Sequence, residues 1–461
     1  MAEKEEVEIG WSEREFATSR FGDKRLKSRL IKLAKQFSDK PLSSINQAGE
    51  DWADAKAAYR FFDNEKVGED EILAPHLLRT QERMRGYGLV LAVQDTTEVD
   101  YSTHVATTGL GPIGNHGGSA AGLMMHTTVA FTEEGLPLGL IAQDVWSRPH
   151  EPREKEKKSV RIEEKESYKW IKALEKTAHS TPANVPLITL GDREADVYEL
   201  LLRAEQLAAK YVIRAAQDRR LENETSLLWE QLAQPKVAGR IELEVAAQEN
   251  RPKRIAKAEV RFASVSIRAP QRLKELRMEG WKEVSIWAVW VKEKNAPKDV
   301  EPIEWMLLTN VEVKDFADAV QRIDWYRIRF SIEVYHKVLK SGCHVEASRL
   351  MTAARLKKHL ALLCVIGWRL FWMTFLNRTD PAAACRLILA EHEWKALYCR
   401  IHKSNQLPDK VPTVREAVRW IARLGGFLGR KADKEPGVTV VWRGWQRLTD
   451  MAEDWLIFRS T

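Results

Sequence analysis

The stretch that organises this chain is residues 326–340, which read YRIRFSIEVYHKVLK. We expect one helix here, because residues three, four and seven positions apart share a helical face. One face holds a single carboxylate, Glu333, among a phenol and cations. Its other members are Tyr326, Arg329, Lys337 and Lys340. The neighbouring stripe is apolar, which is typical of a helix that lies on a core. Taken alone, the polar stripe also fits a solvated surface with an Arg329–Glu333 ion pair.

The composition is that of a soluble globular protein. The 461 residues are 44% hydrophobic and 30% charged, and the net charge is +7. A basic balance permits nucleic acid or an anionic membrane as a partner without choosing between them. The most apolar stretch, residues 360–376, contains Arg369 and is short for a bilayer span, so we expect a buried helix and no membrane partner. Four scattered cysteines suit a reducing cytosol, and the acidic N-terminus is no signal peptide, so we expect a cytoplasmic location.

The N-terminal region predicts basic helices. Residues 23–37 follow Gly22 and open on Asp23, a favourable N-cap, and a second helix is predicted over residues 51–62. Cations cover the rest of the first helix, among them Lys24, Arg25 and Arg29, and the second helix carries Arg60. The basic surface of the first helix is either solvated or a phosphate-binding face, and the sequence leaves both open.

The middle of the chain predicts a mixed sheet. Apolar runs with turn signals indicate strands over residues 88–94, 127–131, 136–145, 187–190 and 211–214, with a helix over 163–177 between the third and fourth. The order strand, hairpin, helix, strand, helix, strand implies helices on the faces of a mixed sheet. Alternating patterns between about residues 220 and 310 predict a β-rich insertion. Beyond Ala347 the chain reads as helical.

Two aspartates follow apolar strands, Asp95 in LAVQDTTEVDY and Asp192 in LITLGDREADVY. Side chains at strand ends are held rigidly yet reach solvent. With Glu333 on a later helix, this order matches a ribonuclease-H-like core for nucleotidyl transfer. Three carboxylates suit two Mg²⁺ ions about 3.5–4 Å apart, one activating the nucleophile and one stabilising the leaving oxygen. Alternatively, Asp95 only caps a turn, and Asp192 pairs with Arg193 or begins a helix.

Three motifs carry a family resemblance. They are Asp95-Thr96-Thr97, the run DREAD that begins at Asp192, and Tyr326-x2-Arg329-x3-Glu333-x6-Lys340. Together they resemble the signatures of bacterial cut-and-paste DDE transposases of the insertion-sequence-four family. The stretches FGDKRLKSRLIKLA and AAYRFFDN resemble that family's end-binding domain, and IARLGGF with WRGWQRL resembles its helical synapsis region. The likeness covers most of the chain and is weakest over about residues 378–411.

The resemblance implies an architecture and partners. It implies an α/β ribonuclease-H-like catalytic core over residues 71–345, with the β-rich insertion at about 220–310. A helical domain over residues 1–70 binds the transposon end, and a helical domain over residues 346–461 serves dimerisation and synapsis. The implied partners are double-stranded DNA, as inverted-repeat ends and as target, and a second copy of the chain on paired ends. The implied cofactor is Mg²⁺, two ions, with Mn²⁺ as a substitute.

The resemblance also implies residue roles. Asp95, Asp192 and Glu333 form the metal-binding catalytic triad. The implied DNA contacts are Tyr326, Arg329, Lys337, Lys340, Arg214, Trp305, Lys24, Arg25, Arg29 and Arg60. Members of this branch free the element through a DNA hairpin and flip out a base, and Trp305 stands where the family places the aromatic that stacks on it. A buried strand tryptophan is the alternative for Trp305. Ala216 departs from the basic contact expected near Arg214.

Two other functions remain open from the sequence. The first is a DNA-binding regulator of transposition that has lost catalysis, and the second is a metal-dependent nuclease that cuts without joining. The complete set of three acids and the basic N-terminal helix favour the transposase over the regulator.

Overall fold

The N-terminal region is helical. The computed structural model describes residues 10–114, 119–150, 161–222, 226–245, 253–273, 277–278, 280–298, 300–430 and 433–459. The helices that precede the first strand are α1 (Trp11–Phe16), α2 (Lys24–Asp39), α3 (Ile45–Ala48), α4 (Trp52–Asp63) and α5 (Glu69–Met84).

Local capping explains where the two predicted basic helices begin. The Asp23 carboxylate accepts the Arg25 backbone N–H at 2.9 Å, and α2 starts at the next residue. The Asp51 carboxylate likewise accepts the Asp54 N–H at 2.8 Å ahead of α4. Each bond satisfies one of the N–H groups that a helix leaves unpaired at its start. Both predicted helices are therefore confirmed, with ends within two residues of those expected.

A mixed sheet forms the centre of the fold. Its first six strands are β1 (Val90–Asp100), β2 (Gly111–Pro112), β3 (Ala121–Phe131), β4 (Pro137–Trp146), β5 (Leu187–Gly191) and β6 (Lys210–Arg214). They include the spatial order β4-β3-β1-β5-β6, in which β4, β3 and β1 are antiparallel and β1, β5 and β6 are parallel. Helices α6 (Tyr168–Ser180) and α7 (Tyr198–Gln206) make the crossovers between the parallel strands. The predicted ribonuclease-H-like α/β core is confirmed.

Alternate residues of the strands face two separate cores. On β6, Val212 belongs to the larger core, whereas Tyr211 and Ile213 belong to the smaller one. This alternation is the period of two that a strand imposes. The smaller core includes residues of α6 and α7, and the larger core includes residues of α5 and of the C-terminal helices, so the sheet is covered on both faces.

The β-rich insertion lengthens the same sheet. Its elements are α8 (Leu228–Ala233), β7 (Gly239–Val245), β8 (Arg254–Arg268), β9 (Glu283–Glu293) and β10 (Glu304–Thr309). Strand β10 pairs antiparallel with β6, and β9, β8 and β7 follow outward to the edge. The insertion therefore returns the chain to the core beside β6.

The predicted single helix over residues 326–340 is wrong. The chain instead forms α9 (Phe316–Ile328), α10 (Ser331–Lys337) and a π-helical turn, Val338–Gly342. At the break, the Arg329 N–H bonds to the Tyr326 carbonyl at 3.1 Å and the Ile332 N–H bonds to the Arg329 carbonyl at 3.2 Å, which is the tighter i→i+3 pattern. Contacts outside the helix hold this turn, because Arg329 meets Asp95 and Phe330 packs near Trp305.

The C-terminal region is helical, as expected. Its helices are α11 (Ala353–Thr379), α12 (Glu391–His402), α13 (Val414–Leu424) and α14 (Val438–Arg459). Helix α11 has the length and composition of a membrane span, yet 89% of its most apolar window is buried inside the protein. The guanidinium of its buried Arg369 lies 4.5 Å from the ring centre of Trp11 and 5.1 Å from that of Trp445. This contact joins the N- and C-terminal helices.

Candidate active site

Asp95 and Asp192 lie at the same level of neighbouring strands. Strands β1 and β5 run parallel with Val93 opposite Leu190, so each acid stands two residues beyond the same rung. Neighbouring strands are about 4.8 Å apart, and the carboxyl edge of a parallel sheet is where α/β proteins bind ligands. The topology therefore brings the two acids, far apart in sequence, to one edge.

Strand β1 does not end at Asp95, which corrects the sequence prediction. It continues to Asp100 because it stays paired with β3, where Asp95 is opposite Thr127. Its parallel neighbour β5 is the strand that stops, at Gly191. The Asp192 carboxylate then accepts the Glu194 N–H at 2.8 Å and opens the short turn Arg193–Ala195. Asp192 thus caps a turn, and that bond also fixes its side chain at the sheet edge.

Arg329 links the third acid to this edge. Its Nη1 lies 3.8 Å from Asp95 Oδ2, and its Nη2 donates a hydrogen bond to Glu333 Oε1. The Arg329 side chain is buried, whereas the Glu333 side chain is 55% exposed. A buried guanidinium needs anionic partners, and these two carboxylates supply them. The Arg329–Glu333 pair foreseen as a surface contact is therefore part of a three-residue cluster with Asp95.

In this cluster, Arg329 alone does not compensate the negative charge of the carboxylates. Burial raises the pKa of Asp95 to about 7, against the lowering effect of Arg329, and the negative charges of Asp192 and Glu333 add to the rise. Burial also raises the pKa of Asp192, although the Glu194 N–H and Arg329 oppose this. Burial tends to lower the pKa of Arg329, but neighbouring Tyr326 and Asp95 more than offset it. The site favours an additional cation.

The donor set fits a hard divalent metal. Carboxylate oxygens are the ligands that Mg²⁺ and similar ions prefer, and Asp95 and Asp192 supply them at one edge of the sheet. Within the described ranges, no three His, Cys, Asp or Glu side chains converge closely enough to share one ion. Glu333 is paired with Arg329 in this arrangement rather than with the two aspartates.

A buried histidine behind Asp95 was missed at the sequence level. His336 Nδ1 lies 3.9 Å from Asp95 Oδ2, and burial lowers the pKa of His336 to about 3, so the ring is neutral. Behind it, the Thr96 hydroxyl and His126 Nδ1 are 2.9 Å apart. His336 follows Glu333 by three residues on α10, and residues at this spacing are neighbours on a helix. That spacing was the signal in the sequence that His336 lies near the acids.

The last aspartate of DREAD is a structural residue. Asp196 is buried, and its Oδ1 lies 2.6 Å from Nη2 of Arg219. Its Oδ2 accepts the backbone N–H groups of Ala216 at 2.8 Å and Gln217 at 3.0 Å. These bonds fix the loop that follows β6, directly after Arg214. Ala216, where a basic residue was expected, is thus held in place through its backbone N–H.

An aromatic cluster flanks the acids. The ring of Trp305, on β10, is 5.4 Å from that of Tyr326 in an edge-to-face arrangement, and Phe330 is 6.1 Å from each. Tyr326 is buried and Trp305 is only 9% exposed, whereas Phe330 is 39% exposed. Nη2 of Arg214 donates to the Glu304 carbonyl at 2.8 Å beside this cluster. Sequence reasoning overlooked Phe330, the most open ring of the three.

The two lysines of the motif point to different surroundings. Lys337, on α10, is exposed. Lys340 lies in the π-helical turn, and its Nζ is 3.4 Å from Glu346 Oε1. The predicted polar stripe is therefore divided, because Arg329 faces Asp95 and Lys340 faces Glu346.

The predicted DNA contacts of the N-terminal helices form a separate group. Lys24, Arg25 and Arg60 are exposed, and Arg25 pairs with Asp23 at 2.9 Å. Arg29 is half-buried, with Nη1 3.2 Å from Asp54 Oδ1. Across the described segments, no ion pair or hydrogen bond connects these cations to the three acids.

Three family profiles match the chain. Residues 8–67 match "Transposase DNA-binding", residues 166–367 match "Transposase DDE domain", and residues 365–460 match "Transposase Tn5 dimerisation domain". The second range contains Asp192 and Glu333, and Asp95 precedes it. The second and third ranges meet within α11.

The fold, the acidic site and these matches define a DDE transposase, a metal-dependent enzyme that cleaves DNA and transfers strands. It depends on a divalent metal ion, binds DNA and forms a homodimer. The chain belongs to the Tn5-like DDE transposases, and its set of domains fits the insertion-sequence-four family. The predicted family, enzyme class, DNA partner and homodimer are confirmed.

Proposed function

We propose that this transposase excises a mobile element through a hairpin intermediate. Water attacks the phosphodiester at the element's end, forming a new O–P bond and releasing a 3′-hydroxyl. That hydroxyl attacks the opposite strand, closes a hairpin on the element and frees the flanking DNA. A second water opens the hairpin and regenerates the 3′-hydroxyl, which finally attacks a target phosphate and joins the element to it.

Asp95, Asp192 and Glu333 would hold two Mg²⁺ ions, for which Mn²⁺ would substitute. When bound, these ions supply Lewis-acid activation of the attacking oxygen and charge stabilisation of the leaving oxygen. The observation that carries this assignment is the edge shared by Asp95 and Asp192, whose pKa values are raised by burial. His336 packs against Asp95 as a neutral neighbour and orients it.

Cations and rings near the acids position the DNA end. Arg329, Lys337 and Lys340 contact phosphates, since hydrogen bonds between cationic side chains and phosphate oxygens are strong. Tyr326 and Arg214 lie beside them. A flipped base stacks on the ring platform of Trp305 and Phe330, and the exposure of Phe330 supports this more directly than that of buried Trp305.

The remaining regions bind and pair the ends. Residues 1–70 bind the inverted repeat, with Lys24, Arg25, Arg29 and Arg60 on its phosphates, which suits the match to a DNA-binding profile over residues 8–67. Residues 71–345 carry the chemistry. Residues 346–461 pair two protomers so that each DNA end contacts both. The enzyme acts in the cytoplasm, at the nucleoid.

The test uses the inverted repeats that flank the gene. The protein is incubated with DNA carrying these ends and Mg²⁺, and products are separated on denaturing gels. Nicks, hairpins and joined products are expected, and Glu333→Gln abolishes all three while end binding persists. Asp324→Asn is the matched control, because this exposed acid on α9 pairs with Arg327 outside the site.

Other outcomes would identify the rival functions. Binding without any cleavage identifies a regulator of transposition. Open ends with no joined product identify a nuclease, and double-strand breaks without hairpins exclude the hairpin route. Wild-type cutting by Glu333→Gln removes Glu333 from the catalytic site.

A further inference from the structure

Glu346 ties Lys340 to the end of strand β1. Its Oε1 lies 3.4 Å from Lys340 Nζ and also accepts the backbone N–H of Asp100 at 3.1 Å. One carboxylate oxygen therefore contacts both the π-helical turn and the strand that bears Asp95. Both the Lys340 and the Glu346 side chains are half-buried. The charge of Lys340 is felt at the strand end, where Ser102 hydrogen bonds lower the pKa of Asp100 and Lys340 lowers it further.

The turn that carries Glu346 is itself anchored to Tyr101, the residue that follows β1. The buried Tyr101 donates its phenol hydrogen to the Val345 carbonyl at 3.1 Å. The turn Val345–Ala347 is entered through His344, whose φ of 46° lies in the left-handed region. A non-glycine residue stays in that region only when surrounding contacts hold it. Glu346 is thus a fixed point, and Lys340 is the flexible partner.

We propose that Glu346 is a positioning residue that holds the Lys340 ammonium at the end of β1, ready for a DNA phosphate. The inference rests on the proposed role of Lys340 as a phosphate contact. A lysine has a long, flexible stem, and restricting it beforehand lowers the entropy lost when it meets its ligand. Both side chains of this pair are partly exposed, and such an ion pair is weak, so Glu346 orients Lys340 without withholding it from phosphate.

Neighbouring cations do not share this arrangement. Arg329 is engaged by Asp95 and Glu333. Lys337 is exposed and has no ion pair among the residues that the structure describes. Loss of Glu346 is therefore expected to act through Lys340 and to leave the contribution of Lys337 to phosphate binding unchanged.

A double-mutant cycle tests the proposal with the full-length protein on end DNA. Single-turnover nicking is measured with Mg²⁺ for wild type, Glu346→Ala, Lys340→Ala and the double variant. We expect Lys340→Ala to slow nicking about tenfold or more, and Glu346→Ala to slow it about threefold to tenfold. In the Lys340→Ala background, Glu346→Ala is expected to add less than about twofold, since its partner is gone. End-binding affinity and melting temperature are measured for every variant.

Two further variants sharpen the result. Glu346→Gln keeps an oxygen that accepts the Asp100 N–H and a Lys340 hydrogen, so it should recover part of the nicking rate and fold where Glu346→Ala does not. Lys337→Ala is the matched control, and its effect should multiply with that of Glu346→Ala.

The alternatives give distinct results. If Lys340→Ala nicks at the wild-type rate, the phosphate role of Lys340 is wrong, and the positioning role fails with it. If Lys340→Ala is slow but Glu346→Ala has no effect, or the same effect in both backgrounds, Glu346 does not position Lys340. A lowered melting temperature with equal rate losses in both backgrounds marks Glu346 as a purely structural residue.

Discussion

Replacement of Asp95 by asparagine should affect protein stability and DNA cleavage in opposite directions. We expect Asp95→Asn to abolish DNA cleavage while it stabilises the metal-free protein at about pH 8. Burial and the neighbouring acids raise the pKa of Asp95 from 3.8 to about 7. A group with a raised pKa contributes its full stability below the unfolded-state pKa and loses that contribution as pH rises through the folded-state value. Asparagine stays neutral throughout and avoids that loss.

The magnitude follows from the size of this shift. Three units at about 1.4 kcal/mol each give an upper limit of about 4 kcal/mol at about pH 8. The asparagine NH₂ beside Arg329 offsets roughly 1–2 kcal/mol, which leaves about 2 kcal/mol. For a chain of 461 residues, the gain corresponds to a melting temperature higher by about 2 °C. At about pH 5 most of the folded protein already carries a protonated Asp95. The upper limit of stabilisation by Asp95→Asn then falls below about 2 kcal/mol, and the offset from the asparagine NH₂ cancels it.

Tryptophan fluorescence during thermal and urea unfolding is the assay, with a chelator present. The matched control is Asp100→Asn on the same strand, because hydrogen bonds from Ser102 lower the pKa of that acid and its loss should not stabilise the protein. Added Mg²⁺ should stabilise wild type more than Asp95→Asn, since a bound ion relieves the same charge. Absence of a gain at about pH 8, or an equal gain at about pH 5, would refute this reasoning.

Three other predictions concern separate parts of the molecule. Asp196→Ala leaves Arg219 buried without its anion and should lower the free energy of unfolding by about 3–5 kcal/mol; a loss under about 1 kcal/mol in urea melts would contradict a structural role. Phe330→Ala should reduce hairpin formation about tenfold while nicking persists, because base stacking contributes roughly 1–3 kcal/mol; equal loss of both products on a gel argues against stacking. Arg29→Ala should reduce the slope of end-binding affinity against salt by about one, and an unchanged slope means that Arg29 meets no phosphate.

Much of the core could be predicted from local patterns. The strands around Asp95 and Asp192 are apolar runs bounded by turn signals, and the N-caps at Asp23 and Asp51 are bonds between residues two and three apart. Such features depend on near neighbours in the chain, so they are legible without a fold. The order of these elements was enough to predict the mixed sheet.

The site was only partly predictable. The periodicity of residues 326–340 predicts one helix, but the chain turns tightly after Ile328 because Arg329 and Phe330 are held by Asp95 and Trp305. Nothing in the spacing indicates that Lys340 meets Glu346 across a π-helical turn. These partners come from distant parts of the chain, and packing selected them over the regular helix.

The sequence by itself determined most of the elements, their order, the three acids and the family signatures, because these reside in residue types and short spacings. Tertiary structure alone decided how the acids are arranged. Pairing of β1 with β3 carries that strand past Asp95, while its parallel partner β5 ends just before Asp192. Burial then raises the pKa of both acids, while the nearby charge of Arg329 opposes that rise. Desolvation acts only once the sheet and helices have closed around these side chains.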